Sequence, residues 1–257
     1  MRPNNYFDLS GRTAFVTGAS SGLGRHFAHV LANAGAKVAL AARRAERLKE
    51  SAEQIERDGG TALCIPLDVT DPSAVAPAFD AAEDALGTPT ILVNAAGVAS
   101  GSRFSEMSEE EWRAVMDVNL DAVFRVGQEG ARRMQANGAG GSIINIASVL
   151  SFGVLKSVSA YAVSKAAVVQ LTHAMALELA GDEIRVNALA PGYFSTEMNE
   201  GFLASEAGKR LIAKIPWKRI GEPQELDGPL LLLASDAGSF MTGAIIPVDG
   251  GALLSMS

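Results

Sequence analysis

The feature that most constrains this chain is an alternation. The short β-rich runs RTAFVTG, KVALAA, TALCIPL, TILVNA, SIINIAS, IRVNALA and AIIPVDG are separated by longer segments of helical pattern. Such alternation predicts a parallel sheet with helices on both faces. The runs are almost continuously apolar, as strands buried on both faces must be. The expected helices follow Leu23 to Ala34, Ala45 to Arg57, Ser73 to Leu86, Glu109 to Ala136, Ala160 to Ala180 and Gln224 to Ala234. No Pro/Gly/Ser-rich linker, fixed-period repeat or low-complexity tail divides them. The expectation is an α/β chain: one domain over 1–257, a doubly wound seven-stranded parallel sheet of Rossmann type. The long connection from Gly192 to Glu222 breaks the short-loop rhythm, and its place after a strand's carboxyl end predicts a substrate lid at about 193–221.

Composition excludes several function classes. The charge of −7 opposes binding to nucleic acid, where affinity comes from lysine and arginine neutralising phosphates. No uncharged apolar run approaches the roughly 18 to 20 residues that cross a bilayer. The opening MRPNNYFDLSGR lacks the basic, apolar, small-residue order of a secretory signal, and the lone Cys64 cannot form an intramolecular disulfide. A cytoplasmic setting is expected, with Cys64 a buried strand residue in TALCIPL. No metal site and no membrane partner are expected.

TAFVTGASSGLGRHFA places Gly18, Gly22 and Gly24 between the first strand and the first helix. Glycines there let the backbone approach a pyrophosphate, whose charge suits the N–H groups at a helix start. Ser20, Ser21 and Leu23 belong to the same candidate turn. At the end of the second strand an acidic residue would hydrogen-bond the ribose of NAD, but LAARRAERL offers Ala42 followed by Arg43 and Arg44. The missing acid and the added cations favour NADP(H) over NAD(H), since guanidinium pairs with an extra phosphate. The alternative is that both arginines merely solvate the next helix. Asp68, with Val69, follows the third strand where an adenine would lie; Asp68 could equally cap the helix beginning near Asp71. Asn94, Ala95 and Gly97 end the fourth strand beside the topological switch, although Asn94 could instead bridge neighbouring strands as a buried amide.

Tyr161 and Lys165, in YAVSK, stand at i and i+4 and project from one face of a helix. A unit charge about 4 Å away contributes roughly 4 kcal/mol at an effective dielectric near 20, enough to bring the ionisation of a phenol into the neutral pH range, with desolvation opposing. Such a phenol can exchange a proton with a carbonyl or alcohol oxygen while a nicotinamide exchanges hydride. Ser148, ending the fifth strand, could hydrogen-bond the substrate oxygen. Asn119, polar in a mostly apolar helical stretch, could hold water beside Lys165. Each also has a plain structural reading: packing for Tyr161, surface charge for Lys165, a cap for Ser148, a kink for Asn119.

Taken together, TGASSGLG, NAAG, Asn119, Ser148, YAVSK and PGYFST occur in the order and approximate spacing of the short-chain dehydrogenase/reductase family, which the chain resembles from about Gly11 to Gly251. The resemblance implies Tyr161 as acid/base, Lys165 as its modulator and nicotinamide-ribose ligand, Ser148 as oxygen stabiliser and Asn119 as proton-relay support. It also implies that Pro191 and Gly192 border the nicotinamide and that Thr196 contacts its carboxamide or a phosphate. Ala95 replaces the second asparagine of the frequent N-N-A-G form. A homotetramer is expected, as is a small-molecule carbonyl or alcohol substrate. Leu150, Phe152, Leu155, Tyr193, Phe194, Met198, Phe202 and Trp217 are candidates for an apolar pocket. The chain further resembles 3-oxoacyl-carrier-protein reductases, where basic residues dock an acidic carrier; Arg132 fits, whereas Leu177 and Asp182 do not. The competing readings are an NAD(H)-dependent alcohol dehydrogenase, a non-catalytic NADP sensor, and a sugar-nucleotide epimerase, against which the lack of a C-terminal substrate domain weighs.

Overall fold

The computed structural model describes residues 6–196, 201, 203 and 205–255. Its seven strands are β1 Thr13–Thr17, β2 Lys37–Ala42, β3 Thr61–Pro66, β4 Ile91–Asn94, β5 Gly141–Ile146, β6 Ile184–Pro191 and β7 Ile245–Val248. They form one sheet in the order β3-β2-β1-β4-β5-β6-β7, every pair parallel. The described α-helices are α1 Gly22–Asn33, α2 Ala45–Arg57, α3 Pro72–Leu86, α4 Glu109–Met116, α5 Ala122–Asn137, α6 Ser159–Leu179, α7 Glu206–Ile212 and α8 Asp227–Ala234.

The period-2 geometry of a strand divides its side chains between two cores. Ala14 and Val16 of β1 pack with Phe27 and Leu31 of α1, Leu48 and Ile55 of α2, and Leu230 and Leu233 of α8. Phe15, between them, faces the opposite way and joins Phe79 of α3, Val126 and Met134 of α5 and Ala176 of α6. The rings of Phe15 and Phe79 stack at 4.3 Å between centroids. Burial on both faces is why the strands carry no polar alternation.

Two elements depart from the sequence expectation. The helix expected over Glu109 to Ala136 is interrupted by a π-helical turn at Asp117–Asp121, which widens the spiral at Asn119. The 192–222 connection carries α7, which no periodicity announced. Sheet order places the switch between β1 and β4, neighbours whose chain connections run in opposite directions, and ligands of doubly wound folds gather there.

Candidate active site at the carboxyl ends of the strands

A cleft of about 380 Å³ opens at that switch. Thr17 ties its floor together, its Oγ1 accepting from the backbone N–H groups of Ala95 at 3.1 Å and Ala96 at 3.2 Å. Gly18 has φ of +69°, and a Cβ there would lie 2.9 Å from the Ala95 carbonyl. At Gly24 a Cβ would come within 2.4 Å of the Gly18 carbonyl oxygen, so only glycine lets α1 begin so close to the turn. Ser21 precedes α1 without capping it through its side chain, leaving the helix start directed at the cleft. These bare backbone positions form a cradle suited to a dinucleotide pyrophosphate, whose charge the N–H groups and helix dipole favour.

The two arginines after β2 have different fates. Arg44 folds back over the turn, its Nε donating to Ser20 Oγ at 3.2 Å and its guanidinium also bonding Ser21 Oγ. Arg43 stands exposed at the rim. Asp68 accepts from the N–H and hydroxyl of Thr70 at 3.0 and 2.7 Å. These bonds hold its carboxyl below the usual range, and the Arg43 charge adds to the effect. Asp68 does not cap the next helix. Asp71 does, accepting from Ser73 N at 2.9 Å, while Asp68 and Val69 line the cleft. Asn94 turns away from it: 2% exposed, it donates to Asn145 Oδ1 at 2.9 Å, and Asn145 donates in turn to Thr172 Oγ1 at 2.9 Å. The structure thus gives Asn94 the strand-bridging role, while Ala95 and Gly97 reach the cleft surface.

Ser148, Tyr161 and Lys165 converge at the other end of the cleft. Ser148 starts a short 3-10 turn, its Oγ accepting from Leu150 N at 3.1 Å, and its hydroxyl also bonds the Tyr161 phenol. Ser151 secures this turn to α6, donating to the Lys165 carbonyl at 2.8 Å. Lys165 is buried, its Nζ donating to the Ile146 carbonyl at 2.6 Å and lying 5.8 Å from the Tyr161 ring centroid. Burial pulls its pKa down to about 8.

The Tyr161 phenol departs from the expectation drawn from spacing. It stands above its ordinary pKa, because burial disfavours the phenolate by more than the Ser148 hydrogen bond favours it. Helical spacing brings the ammonium to the same face, but the Ile146 carbonyl engages it.

Asn119 is fully buried behind this group. Its Oδ1 accepts from Val98 N at 2.8 Å, and its Nδ2 donates to Val98 O at 2.9 Å and Ser164 Oγ at 3.1 Å. Ser164 passes the link on, donating to the Tyr161 carbonyl at 2.8 Å. A Cβ at Gly97 would sit 3.5 Å from Asn119 Oδ1 and 3.7 Å from Lys165 Nζ, so glycine keeps the space between these groups open.

Pro191, Gly192 and Thr196 close the cleft from the β6 side. Gly192 lacks a Cβ where one would strike Asp249 at 2.8 Å. Among the apolar-pocket candidates, Phe194 lines the cleft, and Tyr193, Phe194 and Trp217 line a second cavity of about 440 Å³ beside it. Leu150 is buried and Phe152 exposed; Met198 and Phe202 lie outside the described residues. Sequence reasoning missed Leu67, Ala96, Val98, Val118, Ile146 and Ala147, the apolar walls of the cleft. Their only signal is position at or just past strand or helix ends, since they carry no chemistry of their own.

A protein-family model described as Enoyl-(Acyl carrier protein) reductase matches residues 18–252. The chain is 40% identical over 251 residues to a gluconate 5-dehydrogenase of Gluconobacter oxydans, covering 97% of this chain and 98% of that one. A short-chain type dehydrogenase/reductase from Mycobacterium marinum superposes with a TM-score of 0.92 at 44% identity, over 96% of this chain and 97% of that chain. A gluconate 5-dehydrogenase from Burkholderia cenocepacia, solved with NADP and tartrate, superposes with a TM-score of 0.93 at 38% identity, over 98% of each chain. With the glycine cradle and the Ser148–Tyr161–Lys165 cluster at the two ends of one cleft, these likenesses lead to one conclusion: the chain belongs to the short-chain dehydrogenase/reductase family, NAD(P)-dependent oxidoreductases acting on hydroxyl and keto groups.

Proposed function

We propose that this enzyme interconverts a ketone or aldehyde with an alcohol using NADP(H) in preference to NAD(H), with Tyr161 as acid/base. The observation that carries the reading is one continuous cleft: a proton-bearing phenol bonded to Ser148 lies at one end, a side-chain-free cradle and Arg43 at the other. The cofactor, when bound, supplies or accepts the hydride. The phenol of Tyr161 gives its proton to the carbonyl oxygen in reduction, or takes one from the alcohol in oxidation. Ser148 donates toward the same oxygen as charge develops there. Lys165, with its pKa near 8, carries its charge at neutral pH and steadies the phenolate left after proton transfer. Asn119 braces this end through Val98 and Ser164.

The substrate is a polyhydroxylated compound of the gluconate kind, a reading supported by the gluconate 5-dehydrogenase relatives. Arg43 pairs with the additional phosphate of NADP(H), and residues 193–221 act as a lid over the substrate. The enzyme works as a cytoplasmic homotetramer; among the described residues no helix is long and apolar enough to cross a membrane. In an assay of gluconate oxidation with NADP, Tyr161→Phe is expected to lower kcat by at least about a hundredfold while NADPH binding, followed by fluorescence, stays within a few fold. Turnover retained by the variant would refute the assignment.

A further inference from the structure

Lys165 holds the segment that carries Ser148 at two points. Its Nζ donates to the Ile146 carbonyl at 2.6 Å, two residues before Ser148, and its own carbonyl accepts from Ser151 Oγ at 2.8 Å, three residues after. The first grip is made by a side chain that the reaction already uses. The second is made by Ser151, which has no part in the reaction as described. Ser151 also closes the turn on itself: its N–H donates to the Ser148 carbonyl at 2.9 Å, and its Oγ accepts from Ser148 N at 3.3 Å. One hydroxyl therefore joins the backbone of Ser148 to the backbone of Lys165. Beyond it the chain runs to the surface, with Phe152 53% and Val154 81% exposed.

The turn also decides what the Ser148 hydroxyl can do. Its oxygen accepts from Leu150 N at 3.1 Å, which leaves its single hydrogen to donate, toward the Tyr161 phenol or a substrate oxygen. Stabilising charge that develops on a reacting oxygen needs such a donor held at about 2.7–3.1 Å from it. Tyr161 and Lys165 ride on α6, whereas Ser148 belongs to the turn after β5, so their common register depends on what ties the turn to the helix. We propose that Ser151 is a positioning residue for the reaction: its hydroxyl locks the Ser148 turn to α6, so that Ser148 donates to the same substrate oxygen that Tyr161 meets. This role rests on the assignment of Ser148 and Tyr161 to that oxygen. With the hydroxyl removed, Ser148 loses its fixed distance from the phenol, and the loss falls on the step in which charge develops rather than on cofactor or substrate binding.

The test is Ser151→Ala in the whole enzyme, with gluconate and NADP as the probe and NADPH binding followed by fluorescence in parallel. The kcat is expected to fall about tenfold while KM for gluconate and Kd for NADPH each stay within about threefold, the split that marks an interaction realised only in the transition state. Ser151→Thr, which keeps the hydroxyl, should restore turnover to within about threefold of wild type. An unchanged kcat in Ser151→Ala, an equal loss in NADPH binding, or a threonine variant as slow as the alanine one would overturn the proposal. Ser148→Ala, expected to lose at least about a hundredfold in kcat, separates this role from the assignment beneath it. An inactive Ser148→Ala beside an unimpaired Ser151→Ala would overturn the positioning role alone, whereas turnover retained by Ser148→Ala, or wild type inert toward gluconate, would overturn both.

Discussion

Lys165→Met separates catalytic value from stability at a single position. The wild-type ammonium is buried, and its fall from the ordinary lysine value of 10.5 to about 8 corresponds to about 3 kcal/mol disfavouring the charged group at neutral pH. That penalty is fully present below pH 8, where folded and unfolded chains both carry the charge. Between pH 8 and 10.5 the unfolded chain binds more protons than the folded one, so wild-type stability rises with pH until the penalty is gone. Methionine keeps most of the side-chain volume and never carries the charge, but it leaves the Ile146 carbonyl without its 2.6 Å donor, a loss of about 1–2 kcal/mol. The net expectation at pH 7 is a variant more stable by about 1–2 kcal/mol, or a Tm higher by roughly 2–8 °C for a chain of this length. Urea unfolding of both proteins at pH 7, 8, 9 and 10, at one fixed protein concentration, measures the gap, which should shrink by up to about 1.4 kcal/mol per pH unit above pH 8. Turnover should be lost at every pH. A variant less stable than wild type at pH 7, or a gap that does not change with pH, would refute the reasoning.

Two further substitutions probe the other end of the cleft. Arg43→Ala should lower kcat/KM for NADPH by about ten- to a hundredfold, the value of charge-assisted bonds to a phosphate, while kcat/KM for NADH moves little; an unchanged cofactor ratio in steady-state kinetics would exclude Arg43 from phosphate recognition. Gly24→Ala places a Cβ 2.4 Å from the Gly18 carbonyl oxygen, so α1 must shift; a loss of about 1–3 kcal/mol in urea unfolding is expected, with NADPH binding abolished, and a variant that binds NADPH normally would show that the cradle tolerates the displacement.

Much of the nucleotide end was legible without coordinates. Glycines at 18, 22 and 24 after an apolar strand announce a backbone turn that needs room, and the room proves to be against Ala95 and the Gly18 carbonyl. Arg43 and Arg44 were indistinguishable in sequence. Their fates diverge because only Arg44 lies within reach of Ser20 and Ser21, residues brought beside it by the pairing of β1 with β2. Asn94 gave the same ambiguity, resolved by the parallel register that sets it opposite Asn145.

The sequence by itself determined the layer architecture and the helical face shared by Tyr161 and Lys165, since both follow from local pattern: short, almost continuously apolar runs alternating with helical segments, and about 3.6 residues per helical turn, which returns position i+4 to the face of position i. It also determined the glycine positions, because backbone freedom belongs to the residue. Only the tertiary structure decided the acidity of the groups. Desolvation depends on every segment packed around a side chain, so the phenol of Tyr161 rises and the ammonium of Lys165 falls according to contacts from β5, the Ser148 turn and α6 together. The placing of Asn119 belongs to the same class, for its bonds to Val98 and Ser164 join residues far apart in the chain.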